Sequence, residues 1–101
     1  MSAPSEILLR IGKVIRRHRE ALKLTQEEFA DENGINRPHY GAIERGRQNL
    51  TLLNLARVAN GLRKPLSQLL REAEKLDEEA MREPARPPRV GRPQGRKSGW
   101  R

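Results

Sequence analysis

The stretch Ile35-Asn36-Arg37-Pro38-His39-Tyr40-Gly41-Ala42-Ile43-Glu44-Arg45-Gly46, INRPHYGAIERG, holds the side chains with the most evident chemistry. It reads as a helix of fewer than three turns. Asn36 stands at an N-cap position, Pro38 lies in the first turn, and Gly46 marks the stop. Tyr40 and Ile43, with Ala42, suit a core, which leaves Arg37 and His39 at the start of an opposite, polar face. A guanidinium is a planar, permanently charged fork of N–H donors suited to paired acceptors. Arg45, Arg47 and Asn49 follow directly. Catalysis has no matching pattern: there is no Ser/His/Asp set, phosphate loop or metal-ligand spacing, and the carboxylates fall on predicted helix surfaces or in caps. His18 is the only other histidine and no i, i+4 partner exists, so His39 does not read as a metal ligand. With no cysteine, disulfides, thiol nucleophiles and Cys-ligated metals are excluded. No cofactor is expected, and no enzyme.

Charge indicates what that polar face meets. The chain of 101 residues carries a net charge of +8. From Arg82 to Arg101 seven basic residues stand against one acid, Glu83, a net +6, which leaves +2 for residues 1–81. Within that body Arg10, Lys13, Arg16, Arg17, Arg19 and Lys23 come early, and Glu72, Glu74, Asp77, Glu78 and Glu79 come late. One basic face plus a basic arm points to a polyanion; a solvated charged surface with a disordered tail is the competing reading. No apolar run reaches the ~18 residues of a membrane span and no signal peptide is visible. The expectation is a cytoplasmic, nucleoid-associated protein without a membrane partner.

Helices must position these residues, since no period-two stretch or hairpin signal is present. Ile7, Leu8, Ile11, Ile15 and Leu22 repeat at helical spacing and predict a first helix near 6–22. Thr25-Gln26-Glu27-Glu28 is a capping box opening a second, which Asn33-Gly34 ends. The third is the opening stretch, about 36–45. Leu52, Leu55, Ala56, Val58, Ala59 and Leu62 make a fourth, with Gly61 near its end. Leu66, Leu69, Leu70, Ala73 and Leu76 make a fifth, after Pro65. The spacing thus predicts a compact all-α domain of five helices over residues 6–81. A leader occupies residues 1–5, and a Pro/Gly/Arg tail over 82–101 has no core of its own. So short a link around Gly34 forces helices two and three to cross steeply, as in a helix-turn-helix. Aromatic residues are only 3% of the chain, so aliphatic side chains must fill the core. A domain this small buries only about 60% of its unfolded surface, which makes burial through self-association plausible.

The run LTQEEFADENGINRPHYGAIERGRQNLTLLNLARVANGL resembles the phage-repressor-like helix-turn-helix proteins, the Cro/C1-type or XRE family of bacterial transcription regulators. The resemblance covers roughly Ile7 to Glu74. Its markers are Thr-Gln-Glu-Glu opening helix two, the Gly34 turn, Ile43-Glu44-Arg45-Gly46 closing helix three, and the Leu-rich fourth helix. IERGRQNLTLLNL is similar to the controller proteins of restriction–modification genes. The family implies a five-helix, lambda-repressor-like domain, dimeric, with helix three in the major groove of double-stranded DNA. It also implies a buried ion pair, here Arg19 with Glu44; the other reading of Arg19 is one more exposed charge on a basic helix.

On that reading Arg37 bonds a guanine's O6 and N7 together, or else clamps a phosphate. His39 donates to a base or phosphate, or is only solvated. Pro38 departs from the family's polar residue there and at most packs on a thymine methyl. Gly41 and Ala42 permit close approach while reading little, which shifts weight to DNA shape. Gln26 matches the family's phosphate-gripping position at a helix N-terminus; its other role is a polar residue in a capped turn. Asn36, Arg45, Arg47 and Asn49 complete the expected contacts, the last three on phosphates. Surplus apolar positions among Leu53, Leu66, Leu69, Leu70 and Leu76 suggest a two-fold dimer through helices four and five, hence a pseudo-palindromic operator. In the tail, Arg89 to Pro93 partly matches an AT-hook, although an electrostatic arm is the favoured reading.

Two other functions compete with sequence-specific regulation. One is an antitoxin of the same fold, for which a neighbouring toxin gene would discriminate; the other is a non-specific nucleic-acid binder driven by the tail, for which competition by random DNA would. RNA polymerase and a toxin protein are accordingly the protein partners to consider.

Overall fold

The computed structural model describes residues 6–82; the tail from residue 83 on, with its basic-arm and AT-hook readings, lies outside the described residues, as does the 1–5 leader. The helices are α1 (Glu6–Ala21), α2 (Gln26–Glu32), α3 (Arg37–Glu44), α4 (Leu52–Leu62), α5 (Leu66–Lys75) and a single turn, α6 (Glu78–Met81). The first five are those that spacing predicts. The last is opened by Asp77, whose carboxylate accepts the Ala80 N–H at 2.7 Å.

Side-chain caps also set the starts of α2, α3 and α4. Thr25 accepts from the Glu28 N–H at 3.0 Å while Glu28 accepts from the Thr25 N–H at 2.8 Å, the reciprocal box. Asn36 accepts from His39 N–H and Thr51 from Asn54 N–H, each at 3.0 Å. The stops use left-handed backbone: Gly34 at φ +67° and Gly46 at φ +73°, as a glycine at those positions predicts. The first and fourth stops differ, with Lys23 at φ +65° just after α1. Arg63, at φ +61°, caps α4, and Gly61 lies inside the helix. A Cβ on Gly61 would sit 2.4 Å from the Asn33 side-chain oxygen, so a larger residue there has to displace the Asn33 amide from its bond to the Phe29 carbonyl.

Helix α1 is the axis of the fold, packed on α3, α4 and α5, while α2 packs on α3. Ile11, Val14 and Ile15 of α1 meet Phe29, Tyr40, Ile43, Val58, Leu62 and Leu69, all essentially buried. Each such side chain contributes roughly 1.5–3 kcal/mol by leaving water. Phe29 and Tyr40 lie with ring centroids 5.1 Å apart, tilted 40°, and fasten α2 to α3. Arg10 and Lys13, read from sequence as part of a basic face, are buried instead. The Arg10 guanidinium donates to the Leu76 carbonyl at the end of α5, and its stem fills the seam between the two helices. Leu22, placed by spacing in the apolar stripe, lies past the end of α1 and is exposed.

A polar tie also joins α1 to α5: His18 Nε2 meets Glu72 Oε1 at 2.7 Å, and Gln68 Nε2 donates to Glu72 Oε2 at 2.8 Å. Partial burial pushes the Glu72 carboxyl upward, but the Gln68 and His18 hydrogen bonds and the nearby cations outweigh it and hold the pKa below its usual value. A carboxylate whose folded pKa is depressed adds stability above its unfolded pKa and loses it as pH falls through the folded one. Glu72→Gln is therefore expected to flatten the fall in stability below about pH 4.5, measured by urea unfolding across that range.

Candidate nucleic-acid interface

Helices α2 and α3 are linked by Asn33-Gly34-Ile35-Asn36. The Ile35 N–H returns to the Ala30 carbonyl at 2.8 Å, which closes the turn and tucks Ile35 against the core. Gly34 supplies the left-handed residue that this reversal needs, with nothing within 4 Å of the position of a Cβ. The result is a helix-turn-helix whose second helix presents one face inward and one outward.

The inward face ends at Glu44. Arg19 Nε donates to its Oε2 at 2.7 Å and Arg19 Nη2 to its Oε1 at 3.0 Å, a bidentate pair. Gln26 Nε2 donates to Oε1 at 2.9 Å, and the Tyr40 hydroxyl donates to Oε2. Arg19 Nη1 reaches the Leu24 carbonyl at 2.7 Å, tying in the α1–α2 link. Glu44 and Arg19 are only 6% and 8% exposed, so this cluster operates at low dielectric, where an unmet charge is expensive. Burial alone would lower the Arg19 pKa, but the hydrogen bonds and charge of Glu44 outweigh it and raise it. Burial, with the Glu44 charge, drives the Tyr40 pKa far up and keeps its proton in place. Backbone reinforces the junction: a Cβ on Gly12 of α1 would lie 2.6 Å from the Glu44 carbonyl oxygen.

The outward face begins at Arg37. Its guanidinium lies against Asp31 of α2, Nε to Oδ1 at 3.1 Å and Nη2 to Oδ2 at 2.7 Å, with both side chains more than half exposed. The Arg37 hydrogen bond is the main cause of the lowered Asp31 pKa. Pro38 is exposed and Ala42 partly so. His39 Nδ1 lies 3.1 Å from Gln48 Nε2. An amide nitrogen only donates, so Nδ1 accepts and the neutral ring carries its proton on Nε2. Gly41 is covered by the Arg45 side chain, which folds back along the helix: a Cβ there would stand 3.1 Å from Arg45 Nη1. Arg45, Arg47 and Asn49 are exposed, and Arg45 and Arg47 line a groove of about 350 Å³ with Leu9, Lys13 and Arg16.

The structure therefore gathers Arg37, Pro38, His39, Ala42 and Arg45 on one outward surface, with Arg47 and Asn49 just beyond it. Asn36 uses its side-chain oxygen as the α3 cap, which leaves its amide N–H groups out of that bond. Gln26 is placed differently from the sequence reading. Its side-chain amide donates inward to Glu44, so its backbone N–H in the first turn of α2 is the group left for an anion. Asp31 and Gln48 do not stand out in the sequence, because each gains its role from a side chain on another element. Among the described residues no cluster of His, Asp and Glu could hold a metal ion, and no helix is long and apolar enough to cross a membrane.

A family model described as helix-turn-helix, HTH_3, matches residues 15–69, more than half of the chain. The control protein C.MunI of a Mycoplasma species is 36% identical over 72 residues, covering 70% of this chain and 97% of that protein. The control protein C.SmaI of Serratia marcescens is 34% identical over 60 residues, 59% of this chain and 71% of that one. Among solved structures, the restriction-modification controller protein C.AhdI of Aeromonas hydrophila matches with a TM-score of 0.59 at 34% identity, covering 61% of this chain and 94% of the other.

Proposed function

Because this chain belongs to the helix-turn-helix family HTH_3, as a DNA-binding transcriptional regulator like the restriction–modification controller proteins, we propose that it binds a pseudo-palindromic operator as a homodimer and reads it with α3. Eight residues of helix span about 12 Å, which matches the width of the major groove. The observation that carries the reading is the outward face itself. A cation stands at its N-terminal end, Pro38 and Ala42 keep its middle low enough for close approach, and Arg45 and Arg47 flank its far end. Arg37 then contacts a guanine edge, His39 offers its Nε2 proton to a base or phosphate, and Asn36 donates beside it. Arg45, Arg47, Asn49 and the Gln26 backbone N–H hold phosphates, which fix register without reading sequence.

Support for the dimer comes from α4 and α5. Leu52 and Leu53 are 70% and 71% exposed, far more than a leucine on a monomer's core face. Leu53 also lines a groove of about 550 Å³ with Ala56, Arg57, Asn60, Lys64 and Leu66. Leu69, counted from sequence among the surplus apolar positions, is wholly buried within the monomer, and the surplus lies on α4 instead. By occupying a promoter, such a dimer blocks polymerase or, from upstream, recruits it.

Selection of bound duplexes from a random-sequence pool tests this. The parent is expected to recover two inverted half-sites about 34 Å apart. Arg37→Glu, at an exposed position that leaves the thermal melt intact, is expected to lose about 10- to 100-fold of the preference at one base pair in each half-site. A charge-reversed variant that chose the same sequences as the parent would overturn the reading of Arg37.

A further inference from the structure

We propose that Asp31 is a positioning residue for base readout: it grips the Arg37 guanidinium by one edge so that the opposite fork faces a guanine. The inference rests on the reading of Arg37 given above. A guanidinium has five N–H groups. Asp31 engages Nε–H through Oδ1 and one Nη2–H through Oδ2, at 3.1 Å and 2.7 Å. That leaves both Nη1 hydrogens and the second on Nη2. The end-on pair, one from Nη1 and one from Nη2, has the spacing of a guanine's O6 and N7. The carboxylate thus takes the side of the fork that a base does not need.

Two further features favour this role. The partners stand on successive helices across the Gly34 turn, so the backbone reversal that sets the angle of α3 also sets the direction of the guanidinium. A long side chain held in one rotamer before binding has less freedom to lose when it meets its target. The second feature is charge. Asp31 is an exposed acid beside a surface proposed to lie on phosphates, where a carboxylate with no cation would repel the ligand. Arg37 neutralises it, and Glu27 adds its negative field to the same guanidinium.

The test compares the full-length parent, Asp31→Asn, Arg37→Ala and the double variant. Each is titrated against the duplex recovered by selection, against duplexes changed at one base pair, and against random duplex, with thermal melts to show that each still folds. Asp31→Asn keeps the shape but turns one acceptor into a donor and removes a negative charge. It is expected to strengthen binding to random duplex while lowering the guanine preference at the Arg37-dependent position by about five-fold, a share of the roughly 10- to 100-fold a bidentate contact confers. In the Arg37→Ala background the same substitution is expected to leave base preference unchanged, since Asp31 acts through Arg37. If Asp31→Asn instead raises affinity for every duplex equally, with the preference intact, Asp31 is only a repelling charge and the proposal fails. If Arg37→Ala keeps the preference at every position, the reading of Arg37 fails first and takes this one with it.

Discussion

Glu44→Ala is expected to lower the stability of the domain by about 3–5 kcal/mol, the cost of breaking a buried ion pair from one side. The loss does not equal the worth of the pair, because a matched apolar pair of the same volume is often no less stable. It arises because Arg19 is left charged and nine-tenths buried while Gln26 and Tyr40 lose their shared acceptor. Small domains are stable by only about 5–15 kcal/mol, so a large part of the total is removed. At roughly 4–8 °C per kcal/mol, the melting temperature is expected to drop on the order of 20 °C. Glu44→Gln keeps one acceptor and the shape, and is expected to lose less. Chemical denaturation of Arg19→Ala, Glu44→Ala and the double variant checks the coupling: the double loss falls short of the sum of the singles. Additive losses would mean that the two residues act independently.

Gly12→Ala is expected to destabilise by about 2–3 kcal/mol, against the usual sign for a glycine in mid-helix. In an ordinary α-helix that change is favourable by about 0.5–1 kcal/mol, because alanine restricts the unfolded chain. At Gly12 the new methyl would lie 2.6 Å from the Glu44 carbonyl oxygen and 2.7 Å from that of Ile43. Both are backbone atoms and cannot swing aside, so α1 and α3 must separate by roughly an ångström, opening the packed interior around Ile11 and Ile15. Gly34→Ala is the instructive control. Nothing stands within 4 Å of that position, so only the strain of φ +67° applies, about 1–2 kcal/mol. Urea unfolding of the two variants ranks them directly, and equal losses would show that the α1–α3 approach has slack.

What was legible in the sequence was local. The Thr25–Glu28 box, the Asn36 cap and the stops at Gly34 and Gly46 are written in neighbouring residues, and the structure repeats them. Tyr40 and Ile43 stand three apart on a short helix with few other apolar groups, so the buried face was readable too. What was not legible depends on residues distant in the chain. Gln26 carries the same capped-turn context whether its amide faces solvent or Glu44; only the position of α3 decides. Arg10 looks like a surface cation until the end of α5 meets it, and Lys13 until the C-terminal end of α3 and Met81 close the groove it lines. Gly12 and Gly61 resemble helix weaknesses, and only the neighbouring elements explain them: the α3 backbone leaves no room for a larger residue at Gly12, and the Asn33 side chain crowds Gly61. The bidentate partner of Arg37 lies six residues upstream on another helix, at a separation with no meaning in one-helix periodicity. Leu52 satisfies the apolar pattern of α4 and still faces out beside Leu53, which the sequence already sets among the surplus positions, since an 11-residue helix has more apolar positions than one partner face can cover.

The two ends of α3 are held unequally. Its C-terminal end is clamped by a buried carboxylate, by Gly12 at its carbonyls and by Gly46, whose missing Cβ lets Leu9 lie directly against it. Its N-terminal end rests on an exposed cap and an exposed ion pair. With Tyr40 packed on Phe29 between the two ends, the side chains at the N-terminal tip, rather than the helix axis, are what water and a ligand can compete for. Contacts made at the tip can thus be exchanged for others while the packed interior behind Tyr40 and Ile43 stays as it is.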